Sequence, residues 1–165
     1  VMANPVALDT WKTIGANAVP MAFAEVFPAL EIKALDGQEN PLQHMYANKM
    51  QEVQKFISVT NHVYTPSALV ASKKFWDSLT PADQEGLRKA AVEAGLYQRK
   101  LLDDGDIDVV GKFKTAGVAV NSVNAAELAR IQEKVKPVVA KYSPVIGDDF
   151  VKGFYAEIDK ARAAK

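Results

Sequence analysis

From Thr80 to about Phe113 the chain meets no strong helix breaker, and this stretch limits what the whole can fold into. Its start is marked by Thr80-Pro81-Ala82-Asp83. The threonine hydroxyl can cap, the proline sits where its missing N–H costs nothing, and the acid meets the positive end of the helix dipole. Gly105 is the one serious weakness inside it. A helix of roughly 33 residues would be about 50 Å long at 1.5 Å per residue. A compact domain of this chain's size would measure only about 40 Å across. Either the helix breaks at Asp103 to Asp106, or it is the spine of a body with two lobes.

The sequence ahead of that helix alternates between helical and extended signals. Val1-Met2 reads as the tail of a β-strand, which suggests a truncated chain. Asn4-Pro5 opens a helix through Ala7, Leu8, Trp11 and Ile14, with Gly15 as its stop. Asn17 to Pro20 is a short extended piece. A second helix over Ala24 to Lys33 turns Val26, Phe27 and Leu30 inward. Pro28 is then expected in or near its first turn, because deeper it would remove a hydrogen bond. The loop Leu35-Asp36-Gly37-Gln38-Glu39-Asn40-Pro41 follows. Gly37 is free to take positive φ there, and Asn40 is either an N-cap for the next helix or an amide turned toward a polar ligand. Pro41 to about Gln54 looks helical, and Phe56 to Val63 alternates as a strand does. Tyr64-Thr65-Pro66-Ser67 interrupts before Ala68-Leu69-Val70-Ala71 resumes an extended run, which suggests a crossover between sheets or lobes.

Ser72 should cap a short helix holding Phe75 and Trp76. Beyond the long helix, Val118-Ala119-Val120 reads as a strand. Asn124 caps a helix carrying Leu128, Ile131 and Val135 that Pro137 should kink or end. A last helix begins near Gly147-Asp148 and presents Phe150, Phe154 and Ile158 before a small basic tail. Trp11, Phe23, Phe27, Tyr46, Tyr64, Phe75 and Trp76 are expected mostly in the core, with Phe23 the one placed to face a pocket.

Chemistry is narrowed mainly by what the 165 residues lack. Twenty basic and twenty acidic side chains leave a formal charge of zero, so no general attraction to nucleic acid or to an anionic membrane is expected. Cysteine is absent, which removes disulfides, thiolate metal sites and thiol nucleophiles. His44 and His62 sit in no metal-binding pattern and are expected to be structural or solvent-facing. There is no nucleophile elbow and no phosphate-cradling glycine loop, and no metal or cofactor is expected. Asp36, Glu39 and His62 would be the acid–base groups of an enzyme reading. A self-associating fragment that binds no ligand is a third reading.

Taken in order, Pro20-Met21-Ala22-Phe23-Ala24-Glu25-Val26-Phe27-Pro28-Ala29-Leu30, then Leu35 to Pro41, then Glu52-Val53-Gln54-Lys55-Phe56 and Thr60-Asn61-His62 form a specific set. The chain resembles the extracytoplasmic solute-binding proteins of TRAP transporters, the DctP-like family that binds organic acids such as C4-dicarboxylates. The resemblance implies an α/β periplasmic-binding-protein-like fold (type II-like, two-lobed) with a long lobe-spanning helix, of which this chain is the C-terminal portion. Residues 1–65 would then belong to the second lobe. Residues 66–102 would supply a crossover strand and half of the long helix to the first, and residues 103–165 would pack back on the second. It further implies that Phe23 packs against a bound acid, that Asn40 hydrogen-bonds its carboxylate, and that Asn4 and Ser67 line the cleft. Implied partners are a small organic acid, the missing N-terminal lobe and the membrane permease subunits, in the periplasm, with no catalysis and no nucleic acid. The family's carboxylate-clamping arginine falls just upstream of Val1. Arg88, Arg99, Arg130 and Arg162 all lie in helices that read as solvated faces.

Overall fold

A computed structural model describes residues 1–164, with the side chains of 105–107 left aside. The contacts divide the chain into two compact units, Val1–Glu39 with Val123–Lys165, and Asn40–Ser122. Each unit is held by its own long helix.

In the first unit, helix α1 (Pro5–Ile14) is fixed at both ends by the residues the sequence marked. Asn4 Oδ1 accepts from the backbone N–H groups of Val6 at 2.8 Å and Ala7 at 3.3 Å. Gly15 closes the helix in the left-handed region (φ 111°), a conformation that glycine takes without a side-chain penalty. Val1 donates to Val19 O and accepts from the Met21 N–H, the bonding of a parallel bridge and in keeping with its strand-like character.

Helix α2 covers Phe23–Glu31 and buries Val26 and Leu30, while Phe27 is only half-buried. Pro28 sits in its second turn rather than its first. The carbonyl it leaves without an N–H partner belongs to Ala24, which is exposed, so water can take the bond.

Helix α6 (Ala125–Ile146) starts at Asn124, whose side chain accepts from the Glu127 N–H at 2.9 Å. It runs through both Pro137 and Pro144 and ends at neither, so of the kink or stop expected at Pro137 the stop is not taken. The residues four positions earlier, Glu133 and Ala140, are exposed, so their carbonyls can again be met by solvent. Helix α7 (Asp148–Ala163) follows through Gly147 at φ 112°. Its Phe150 and Phe154 stack at 6.5 Å yet remain largely exposed. The last residue of the basic tail, Lys165, lies outside the described residues.

The second unit is a βαβ arrangement with a parallel, two-stranded sheet. Strand β1 (Phe56–Val59) pairs with β2 (Ala119–Ser122) in the register Phe56↔Ala119 to Val59↔Ser122. Parallel strands need a long crossover, and α4 (Lys73–Asp77) and α5 (Pro81–Thr115) provide it. Helix α5 is one continuous helix of 35 residues, so the alternative of a break at Asp103 to Asp106 is not taken. At its start Thr80 Oγ1 accepts from the Asp83 N–H and donates to Asp83 Oδ2 at 2.7 Å. Ser72 caps α4 as expected.

Near its other end α5 buries Val109 and Phe113, the latter fully. Phe113 meets Tyr46 of α3 (Leu42–Ala47) edge to face at 5.3 Å. Met45, Met50, Ile57 and Val118 complete this core.

Several expectations fail in this unit for want of a partner. The strand predicted to Val63 ends at Val59, and residues 60–72 form no regular element, including Ala68-Leu69-Val70-Ala71. An extended run becomes a strand only when a ladder forms beside it, and no described strand pairs with this one. Tyr64 (85%), Leu69 (84%) and Val70 (83%) are correspondingly exposed, and Phe75 is half-exposed, so neither Tyr64 nor Phe75 is core. The helix expected from Pro41 to Gln54 resolves into α3 and a single 3₁₀ turn, Met50–Glu52, parted by Lys49 in the left-handed region. Among the described residues no helix is long and apolar enough to cross a membrane.

Candidate functional site

Helix α2 ends by turning sharply at Lys33, which takes φ 59°. The Ala34 N–H closes the turn on Ala29 O at 2.8 Å. The left-handed position is therefore Lys33 and not Gly37, which keeps negative φ. Residues 34–39 leave this turn and form one wall of a cavity of about 460 Å³. Val1, Trp11, Val26 and residues 16–19 form the rest. Trp11 and Val26 supply apolar surface, and Asp36, Gln38 and Glu39 supply acceptors and an amide.

The four residues expected to bind a ligand lie elsewhere, and none lines this cavity. Asn4 and Phe23 belong to the first unit. Asn4 is occupied as the α1 cap through Oδ1, which leaves Nδ2 as the donor it can offer a carboxylate. Phe23 is the first residue of α2 and 40% exposed, with its ring at the surface. Asn40 and Ser67 belong to the second unit. The cap of α3 falls on Pro41, with no side-chain hydrogen bond, so Asn40 is not the N-cap. Ser67 is exposed within the irregular segment 60–72.

Asp36 and Glu39 share the cavity wall, whereas His62 lies in the other unit. Among the described residues no group of three or more His, Asp or Glu side chains is placed to hold a metal ion. Arg88, Arg130 and Arg162 each face an acid three residues earlier, Glu85, Glu127 and Asp159, and Arg99 is exposed on α5. All four occupy solvated helical faces, as read from the sequence.

One polar cluster escaped that reading. Asp9 Oδ2 on α1 accepts from Lys141 Nζ at 2.6 Å and from the Tyr142 hydroxyl at 2.7 Å, both on α6. The hydrogen bond from Lys141 holds the Asp9 carboxyl below its ordinary range, and the one from Tyr142 adds to it. The same bonds push Lys141 and Tyr142 upward. Lys134 Nζ adds a bond to Ile14 O at the end of α1. More than a hundred residues separate these groups in sequence, so no local spacing announces them. The Tyr142 hydroxyl meets Asp9 because α1 and α6 pack together.

The folded chain is of the α/β, periplasmic-binding-protein-like class. It superposes on a TRAP periplasmic solute-binding protein from Ochrobactrum anthropi with a TM-score of 0.90 at 36% identity, covering 99% of this chain and 51% of that one. A sugar acid binding protein from Advenella mimigardefordensis, solved with galactonate, gives 0.88 at 41% identity, covering 98% and 52%. The chain belongs to the DctP family, bacterial extracellular solute-binding protein family 7, whose pattern matches residues 1–144. The 2,3-diketo-L-gulonate-binding periplasmic protein YiaO of Escherichia coli is 42% identical over 117 residues, 71% of this chain and 36% of that protein. The C4-dicarboxylate-binding periplasmic protein DctP of Rhodobacter capsulatus is 36% identical over 153 residues, 92% and 46%. The chain thus spans about half the length of the relatives it matches.

Proposed function

We propose that this chain is the C-terminal portion of the solute-binding component of a TRAP-type transporter, which captures a small organic acid in the periplasm and delivers it to membrane permease subunits. The observation that carries the reading is the family match over residues 1–144. In the whole protein an arginine outside this chain grips the carboxylate in a bidentate pair. Asn40 and the Nδ2 of Asn4 donate to the acid, Phe23 covers its apolar side, and Ser67 lines the cleft. Closure of two lobes then excludes water. No step of this needs catalysis.

The C4-dicarboxylate named for the Rhodobacter relative is one end of the substrate class. Relatives at 42% and 41% identity, named for binding 2,3-diketo-L-gulonate and a sugar acid, favour the other end, a polyhydroxy acid. Calorimetric titration of the complete protein with D-galactonate and with succinate tests both levels. Binding of either acid is the expected result, with galactonate the tighter. Binding of neither, nor of any other small acid in a panel, refutes the reading.

A further inference from the structure

Asp-Gly occurs twice in this chain, at Asp36-Gly37 and at Asp104-Gly105, and Asn-Gly does not occur. The dipeptide has a chemistry of its own. The backbone nitrogen after an aspartate can reach that residue's side-chain carbon and close a five-membered ring, and a glycine there puts no Cβ in the way. Whether the ring closes depends on the backbone around it, and the fold sets the two copies in opposite surroundings.

Asp36-Gly37 lies in the loop that leaves the Lys33 turn, where both residues are exposed and belong to no helix or strand. Neither the Asp36 carboxyl nor the Gly37 N–H has a hydrogen-bond partner among the described residues. The nitrogen is therefore open to act as a nucleophile, and no such bond holds the carboxyl away from it. Asp104-Gly105 lies inside α5. In a helix ψ stays near about −42°, and each N–H is taken by the carbonyl four residues earlier. The Asp104 carboxylate is also held by Lys100 Nζ at 2.9 Å. Ring closure at that position has to wait for the helix to open, and an open helix interior is a minor population.

We propose that Asp36-Gly37 is a site of spontaneous isoaspartyl formation, and that α5 protects Asp104-Gly105 from the same reaction. In the first step the Gly37 nitrogen bonds to Cγ of the neutral Asp36 carboxyl. The amide proton and the carboxyl hydroxyl leave as water, and the product is a succinimide. In the second step one water returns and opens the ring at either carbonyl. Opening the bond between Cγ and the nitrogen restores aspartate. Opening the bond between the Asp36 carbonyl carbon and the nitrogen leaves the main chain running through Cγ, which is isoaspartate. One water is lost and one regained, so nothing is oxidised or reduced. The rerouted chain carries one more carbon, about 1.5 Å of added length, in the wall of the cavity and ahead of Asn40. The proposal holds whichever acid the protein binds.

The test is incubation of the complete protein that carries this chain, folded and in mildly acidic buffer at body temperature, over several weeks. Trypsin then releases residues 34–49 and 101–112 as separate peptides. Electron-transfer fragmentation locates isoaspartate in each, and methyl transfer by protein isoaspartyl methyltransferase measures its amount. Isoaspartate should accumulate at Asp36 at least about tenfold faster than at Asp104. In urea, where α5 is melted, the two positions should agree within about threefold. Gly37→Val meets open space at its Cβ and shields the nitrogen with a branched side chain, so it should slow the reaction at Asp36 about tenfold or more. Isoaspartate at Asp36 that is absent, or no more abundant than at Asp104, overturns the proposal. So does an unchanged rate at Asp36 in a Gly37→Val protein whose circular dichroism matches the parent. A difference that persists in urea assigns the contrast to neighbouring residues and overturns the role given to α5. Should Gly37→Val fail to fold, the comparison of the two positions within the parent decides.

Discussion

Asp9 shows how much one side chain can hold when its partners are fixed by helices. Its carboxylate is 29% exposed and takes two hydrogen bonds from successive residues of α6, so α1 is pinned by charge as well as by packing. Because its carboxyl is held below the ordinary value by Lys141, the stabilisation is complete above about pH 4 and fades as acid protonates the group. Lys141 and Tyr142 are raised, so their share is complete below about pH 10 and fades as base removes their protons. Asp9→Asn should therefore lower the melting temperature by a few degrees at pH 7 and much less near pH 3. Thermal scans at the two pH values check it. An equal loss at both would mean the bonds act through shape alone.

Helix α5 gives the element scale its clearest asymmetry. Its first half carries Val92, Leu96 and Tyr97 at 59–66% exposure, while Val109 and Phe113 near its end are buried in the second unit. Phe113→Ala should cost about 3–5 kcal/mol, since a fully buried ring in contact with Tyr46 leaves a cavity. Thr80→Ala removes the cap bond and the hydroxyl's bond to Asp83 and should cost about 1 kcal/mol. Urea denaturation of the two variants measures both, and comparable losses would contradict the asymmetry.

This helix was readable in the sequence because its signals are local: a cap, a proline, an acid, and no breaker. So were α1, α4 and the start of α6, where Asn4, Ser72 and Asn124 bond their own first turns. What was misread depends on distant groups. Pro28 and Pro137 stay inside helices where the residues whose carbonyls they orphan are exposed, and exposure is a property of the packed unit. Residues 68–71 have strand composition and no strand beside them. At the candidate site the loop 35–41 was legible from its turn residues, but its left-handed residue is Lys33, which no propensity rule would have chosen over Gly37.

At the scale of the molecule, the question is what a chain spanning about half of its relatives' length can do by itself. In the proposed mechanism the carboxylate is gripped by an arginine, and the arginines here are exposed on helices, three of them facing acids of their own turn. Removing one partner of a buried charge pair costs about 2–5 kcal/mol, roughly 30- to several-thousand-fold in affinity. Water exclusion is lost as well if the closing lobe is not present, and electrostatic contacts weaken as the local dielectric rises. The isolated 165-residue chain should thus bind D-galactonate or succinate at least about thirtyfold more weakly than the complete protein. Its exposed Leu69, Val70, Leu96 and Tyr97 should also draw copies together, because association removes apolar side chains from water. Parallel calorimetry on the two proteins, with light scattering on the shorter one, reads both effects. If a monomeric short chain matched the affinity of the complete protein, recognition would reside in residues 1–165 alone, and the clamp would have to be sought among Asn4, Phe23, Asn40 and Ser67.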